Sequence, residues 1–221
     1  MDLTLVIGNK NYSSWSLRAW LLLKHVGAPF SEVRIPLSTP QTRERIAVYS
    51  PSGLIPVLID GSITVWDSLA ICEHLAERFP ASCGWPTEQR ARAVARSISA
   101  EMHAGFVALR GELPMNCRAR RVGLVPSAAA QADIDRIITI WRTCREQFGC
   151  SGEWLFGTFT PADAMFAPVV LRFVTYGVHV PGLAGEYLST VQAHPAVREW
   201  VEAAVAESEI IQAEERGSPI L

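Results

Sequence analysis

The chain reads as two domains, a small α/β unit followed by an all-helical one. Three observations predict this. Short apolar runs bounded by turn residues, at Leu3 to Ile7, Glu32 to Ile35 and Leu54 to Ile59, alternate with helical patterns as far as Phe79. A Cys/Gly/Pro-rich connector then leads to Pro86. Beyond it, apolar residues recur at helical spacing with no convincing strand among them. The boundaries that follow are 1–80 for the α/β unit, 81–86 for a linker and 87–221 for the helical domain.

Element by element, Leu3 to Ile7 is a short apolar strand. Ser13 or Ser14 caps a helix through Trp15, Trp20 and Leu23 to Val26, stopped by Gly27 and Pro29. A second strand covers Glu32 to Ile35. Thr39-Pro40, an N-cap followed by proline at the first helical position, starts a short helix to about Tyr49. Ile55 to Ile59, Asp60-Gly61 and Ser62 to Val65 form a hairpin with a type I′ signal. Asp67-Ser68 opens a helix to Phe79, so the order is β-α-β-α-β-β-α. Glu88 to Arg110, Ala128 to Phe148, Pro161 to Tyr176 and Ala196 to Glu207 are amphipathic helices. Thr160-Pro161-Ala162-Asp163 supplies N-cap threonine, proline and an acid reaching back as in a capping box.

Composition narrows the function classes. Hydrophobic residues make up 49% and charged ones 19% of 221, which fits a folded core. A net charge of −2 supplies no basic field for nucleic acid. The one basic cluster, Arg118-Ala119-Arg120-Arg121, reads as a solvated loop or helix end. The longest apolar run, Ala162 to Leu183, is broken by Asp163, Arg172, His179 and two prolines, so no membrane span is expected. An odd set of five cysteines without a CxxC pair, behind an N-terminus lacking a basic leader, points to a reducing cytoplasm and to no metal knuckle.

Two places carry chemistry. Leu54 to Ile59 reads as a strand except for Pro56, which cannot donate to a ladder. An edge strand with Pro56 facing away, through a cis Ile55-Pro56 bond, would leave the Ile55 N–H and C=O free for an extended ligand. The helix start at Asp67-Ser68 offers unpaired N–H groups to a carboxylate. Together they describe a receptor for a short acidic peptide. The second place is Asn11 to Arg18, a hydroxyl-rich turn whose serines sit at the positive end of a helix dipole and suit an anion such as a thiolate. Plain helix capping and a strand-ending proline account for the same residues taken singly. No GxSxG, HExxH or phosphate loop is present, and His25, His74, His179 and His194 read as solitary.

With Ile55-Pro56, Asp67-Ser68 and the Ser-Ser turn in this order, the whole chain resembles a cytosolic glutathione S-transferase of the serine-dependent type. Ser13-Ser14-Trp15-Ser16-Leu17-Arg18 is similar to the Ser-Ser-Cys-x-x-Arg pattern of the zeta class, with tryptophan in place of cysteine. The resemblance implies a thioredoxin-like N-terminal domain and glutathione as co-substrate. It implies that Ser14 or Ser13 donates to the glutathione sulfur, that Ile55 before Pro56 pairs with the cysteinyl unit, and that Asp67 and Ser68 hold the γ-glutamyl end. Gln41 stands where that class lines the glycyl end. A second, electrophilic substrate would lie against Trp15, Met102, His103, Phe106, Arg110 and Met115, with Arg110 facing an acidic substrate, Glu101 or Glu112. Also implied is a two-fold dimer. Three readings fit: conjugation, cis-trans isomerisation of the maleylacetoacetate type, and a non-catalytic binding or interaction module that keeps the fold without turnover.

Overall fold

A computed structural model describes residues 3–121 and 123–218; the first two and last three positions of the expected domains, and residue 122, lie outside it. The strand β1 (Leu3–Ile7) is followed by α1 (Ser14–His25), β2 (Phe30–Arg34), α2 (Thr42–Ala47), β3 (Val57–Asp60), β4 (Ile63–Trp66) and α3 (Ser68–Arg78). The helical part comprises α4 (Pro80–Cys83), α5 (Gln89–Ala104), α6 (Val107–Glu112), α7 (Ala128–Phe148), α8 (Pro161–Tyr176), α9 (Gly182–Ala193) and α10 (Pro195–Val205). The thioredoxin-like unit and the helical domain are therefore both present, in the expected order.

The four strands lie in the order β2-β1-β3-β4. β1 pairs with β2 in parallel and with β3 antiparallel, and β3 pairs antiparallel with β4. This corrects the edge-strand expectation. β3 is interior, and its ladder begins at Val57, so Pro56 stands just outside it and costs no ladder bond. The hairpin register also moves. Asp60 pairs with Ile63, leaving Gly61-Ser62 as the loop. Only Gly61 has positive φ, at 60°, as a type II′ turn with leading glycine requires; type I′ would need two such residues.

One apolar core joins the two units, because α1 packs against α3 on one side and α8 on the other. Trp20 of α1 meets Trp200 of α10 edge-on at 5.2 Å, and Trp141 of α7 is buried among Phe166, Phe173 and Tyr187. Val6, Ile35, Ile46 and Val57 form a smaller cluster that includes α2. At the start of α8 both halves of the expected capping box are made. The Asp163 carboxylate accepts from Thr160 N at 2.8 Å, Thr160 Oγ1 at 3.0 Å and Leu155 N at 3.2 Å.

Several helices differ from expectation. The long pattern from Glu88 to Arg110 is two helices, broken where Gly105 leaves helical geometry and Phe106 takes φ 59°. Gln41, not Thr39, occupies the N-cap position of α2. Pro80–Cys83, which spans the expected boundary between the α/β unit and the connector, makes one helical turn. The helix α9 was hidden by its glycines: Gly182 has φ 59°, and a Cβ on Gly185 would strike the Val180 carbonyl. None of the helices among the described residues is long and apolar enough to cross a membrane.

Two histidines expected to be solitary form a pair at the junction of the units. His25 Nδ1 lies 3.0 Å from His194 Nε2, and the His25 ring stacks on Phe159 at 3.9 Å. His194 Nδ1 accepts from Ala196 N and caps α10, so its proton sits on Nε2 and is donated to His25. Burial first, and His194 second, lower the His25 pKa to about 4; burial also lowers that of His194. Both values fall on folding, so the pair's stabilisation is complete above the ordinary 6.5 and is lost as pH falls toward 4. The thermal midpoint should accordingly drop on acidification from pH 7. His194→Asn, which keeps a capping acceptor but cannot titrate, should show a smaller drop; an equal drop would remove this pair as the cause.

Candidate functional site

The turn from β1 into α1 is held from the helical side. Asn11 Nδ2 donates to Asn116 Oδ1, Asn11 O accepts from Cys117 N, and Lys10 O accepts from Trp200 Nε1. Glu207 accepts from the N–H groups of Lys10 and Asn11, at 2.8 and 3.0 Å. Glu215 accepts from Tyr12 Oη, Asn116 Nδ2 and Arg121. Arg118, read from the sequence as solvated, instead donates to Tyr12 Oη at 2.7 Å and to the carbonyls of Glu207 and Glu209. The segment carrying Glu207 to Glu215 is thus strapped across this turn.

Within it the two serines differ. Ser13 stands at the N-cap but makes no capping bond; its Oγ lies 2.7 Å from Ser16 Oγ, which in turn accepts from Gly8 N. Ser14 Oγ lies 3.2 Å from Arg172 Nη2 of α8. A guanidinium only donates, so Ser14 is the acceptor and its own proton remains free. Ser14 lines a cavity of ≈ 290 Å³ with Tyr12, Trp15, Ser38, Arg110, Arg172 and Glu214 among its walls.

Trp15 also lines a second cavity, of ≈ 460 Å³, together with Ile55, Pro56, Asp67, Ser68 and His103. Here the Ile55-Pro56 peptide is cis, as expected. No hydrogen bond among the described residues uses the Ile55 N–H or C=O, which stand beyond the end of the ladder. Asp67 is the N-cap of α3: its Oδ1 accepts from Leu69 N at 2.8 Å while Oδ2 faces His103 Nε2 at 3.2 Å. Its φ of 74° is uncommon outside glycine. Ser68 is buried and receives Arg18 Nη1 at 3.3 Å.

Three arginines converge near Trp15. The guanidinium carbons of Arg18 and Arg110 lie 4.4 and 4.7 Å from its ring centroid. Among the described residues no carboxylate comes within ion-pair distance of Arg18, Arg110 or Arg172. Burial, then Arg110, brings Arg18 down to about 9 and Arg172 down to about 10. His103 is also lowered, by burial against the opposing pull of Asp67.

The expected second-substrate group is therefore divided. Trp15 and Arg110 do line the Ser14 cavity, but His103 belongs with Asp67. Met102, Phe106 and Met115 are buried in the core and line neither cavity; the break at Phe106 also takes Arg110 off the helix that carries Met102. Arg110 pairs with neither Glu101 nor Glu112, which bind Arg136 and Ser127; it donates to the carbonyls of Met102 and His103 that end α5. Gln41 is exposed at α2, outside both linings. Arg172 carries no expectation at the site, and Arg18 enters only as the last residue of the Ser13 to Arg18 pattern. The available signal for Arg172 was a cation among apolar residues in the second half of α8.

Residues 12–78 match the family model for the glutathione S-transferase N-terminal domain, and residues 127–203 the one for its C-terminal domain. The chain belongs to the glutathione S-transferase family. Among curated relatives, dichloromethane dehalogenase of Methylorubrum extorquens is 36% identical over 72 residues, 30% of this transferase-family chain and 25% of that protein, so the match spans a quarter of the relative's length. The stringent starvation protein A homolog of Coxiella burnetii is 25% identical over 170 residues, 75% of either chain. Among solved structures, a glutathione transferase homolog from Burkholderia with bound glutathione superposes with TM-score 0.69 at 24% identity, covering 92% of this chain and 98% of its own. A Bombyx mori glutathione S-transferase, unclassified 2, gives 0.72 at 18%, covering 93% and 94%. These likenesses show the shared glutathione S-transferase fold.

Proposed function

We propose that the chain is a serine-type glutathione transferase, in which Ser14 activates the glutathione thiol for attack on a small electrophile. One observation carries this: unpaired Ile55 backbone and the Asp67-Ser68 start of α3 share a cavity whose wall, Trp15, also bounds the cavity of Ser14. An extended γ-glutamyl peptide laid along Ile55, its ammonium at Asp67 and its carboxylate at Ser68, would bring its sulfur toward Ser14. A thiol near pKa 8.5 is mostly protonated at neutral pH, so a hydrogen-bond donor at the sulfur raises the reactive fraction. Trp15 favours conjugation over isomerisation, since the zeta-type cysteine position is filled by an indole lying under two guanidiniums. The proposal includes a homodimer and a cytoplasmic setting, where the five cysteines, all free here, stay reduced.

The direct test is calorimetric titration with glutathione followed by thiol consumption with an activated aryl halide. Binding with turnover supports the transferase; binding alone supports the non-catalytic module; no binding removes both. Asp67→Asn separates the binding role from the structural one. Asparagine caps a helix as well as aspartate, so stability should hold. The charge facing the glutathione ammonium is lost, and KM for glutathione should rise about tenfold with kcat unchanged. An unchanged KM would move the ammonium site away from Asp67.

A further inference from the structure

We infer that Arg172, from the helical domain, is a positioning residue for thiol activation: by donating to Ser14 Oγ it commits that oxygen as an acceptor and leaves the hydroxyl proton for the sulfur. The inference rests on the proposed placement of the glutathione thiol at Ser14. Its geometry is specific. Arg172 Nη1 is anchored on the carbonyls of Leu113 at 2.6 Å and Arg110 at 3.4 Å, while Nη2 reaches Ser14 Oγ at 3.2 Å. The side chain is buried, and its hydrogen-bond partners among the described residues are neutral oxygens. A buried cation held this way is costly unless something offsets it. Glu214 lines the same cavity, and its negative charge favours the cation without closing an ion pair among the described residues. Polarisation along a guanidinium–hydroxyl–sulfur chain strengthens each bond in it.

The test is the pKa of enzyme-bound glutathione, read from thiolate ultraviolet absorbance against pH, in the wild type, Ser14→Ala, Arg172→Met and the double variant. Methionine fills similar volume without charge, and Arg172→Gln is the second chemistry should the first not fold. Either Arg172 variant should raise the thiol pKa by about 1, a tenfold loss of thiolate at neutral pH, with glutathione affinity little changed. In the Ser14→Ala background the same replacement should add almost nothing, because its effect passes through the hydroxyl. A merely structural arginine would lower the melting temperature and leave the thiol pKa where it was; that result overturns the inference alone. So does an equal shift with and without Ser14, which makes the arginine act on sulfur directly. A thiol pKa indifferent to Ser14→Ala overturns the proposed placement, and the inference with it.

Discussion

Ser14→Ala is expected to bind glutathione nearly as well as the wild type and to turn over about 10²-fold more slowly, the usual cost of removing one donor aimed at a developing anion. Its hydroxyl oxygen accepts from Arg172, which leaves its proton available to the sulfur. The loss should appear as a higher thiol pKa, so activity recovers as pH rises toward that of free glutathione. Ser13→Ala is the contrasting variant. That hydroxyl belongs to the Ser16–Gly8 network, and losing it should cost stability, about 1 kcal/mol, without moving the pH–rate profile. A profile that moves for Ser13 and not for Ser14 would exchange the two assignments.

Asp163→Ala should have the largest effect on folding. It leaves the Leu155 and Thr160 N–H groups and the Thr160 hydroxyl without their acceptor in a fully buried site. Each unsatisfied buried donor costs about 1–3 kcal/mol, so a loss of about 3 kcal/mol or more is expected. Asp163→Asn retains one acceptor oxygen and should recover part of it. Denaturant titration decides the matter; a midpoint within experimental error of the wild type would show that water replaces the carboxylate at this helix start.

What could be read from sequence was local. Thr160-Pro161-Ala162-Asp163 fixes its own helix start within four residues, and Asp67-Ser68 opens α3 where expected. Phe106 broke the expected Glu88 to Arg110 helix because apolar spacing continues through a residue whose backbone turns left-handed. The hairpin slipped by one residue because Asp60-Gly61 and Gly61-Ser62 are both acceptable loops, and only pairing with β1 selects between them. At the site, the serines, Ile55 and Asp67 announce themselves by spacing. Arg172 and Glu207 do not: their partners are brought to them by the fold, with no periodic pattern linking them.

The strap over the α1 turn has a consequence for how this protein comes into being. Lys10 and Glu207 are separated by 197 positions, yet their bond helps shape the turn that presents Ser14. On a ribosome the N-terminal unit emerges long before its clasp is synthesised. Until Glu207 and Glu215 are released from the exit tunnel, Lys10, Asn11 and Tyr12 lack the carboxylates that hold them. The turn that presents Ser14 therefore takes its final shape only after the segment carrying Glu207 and Glu215 has been made.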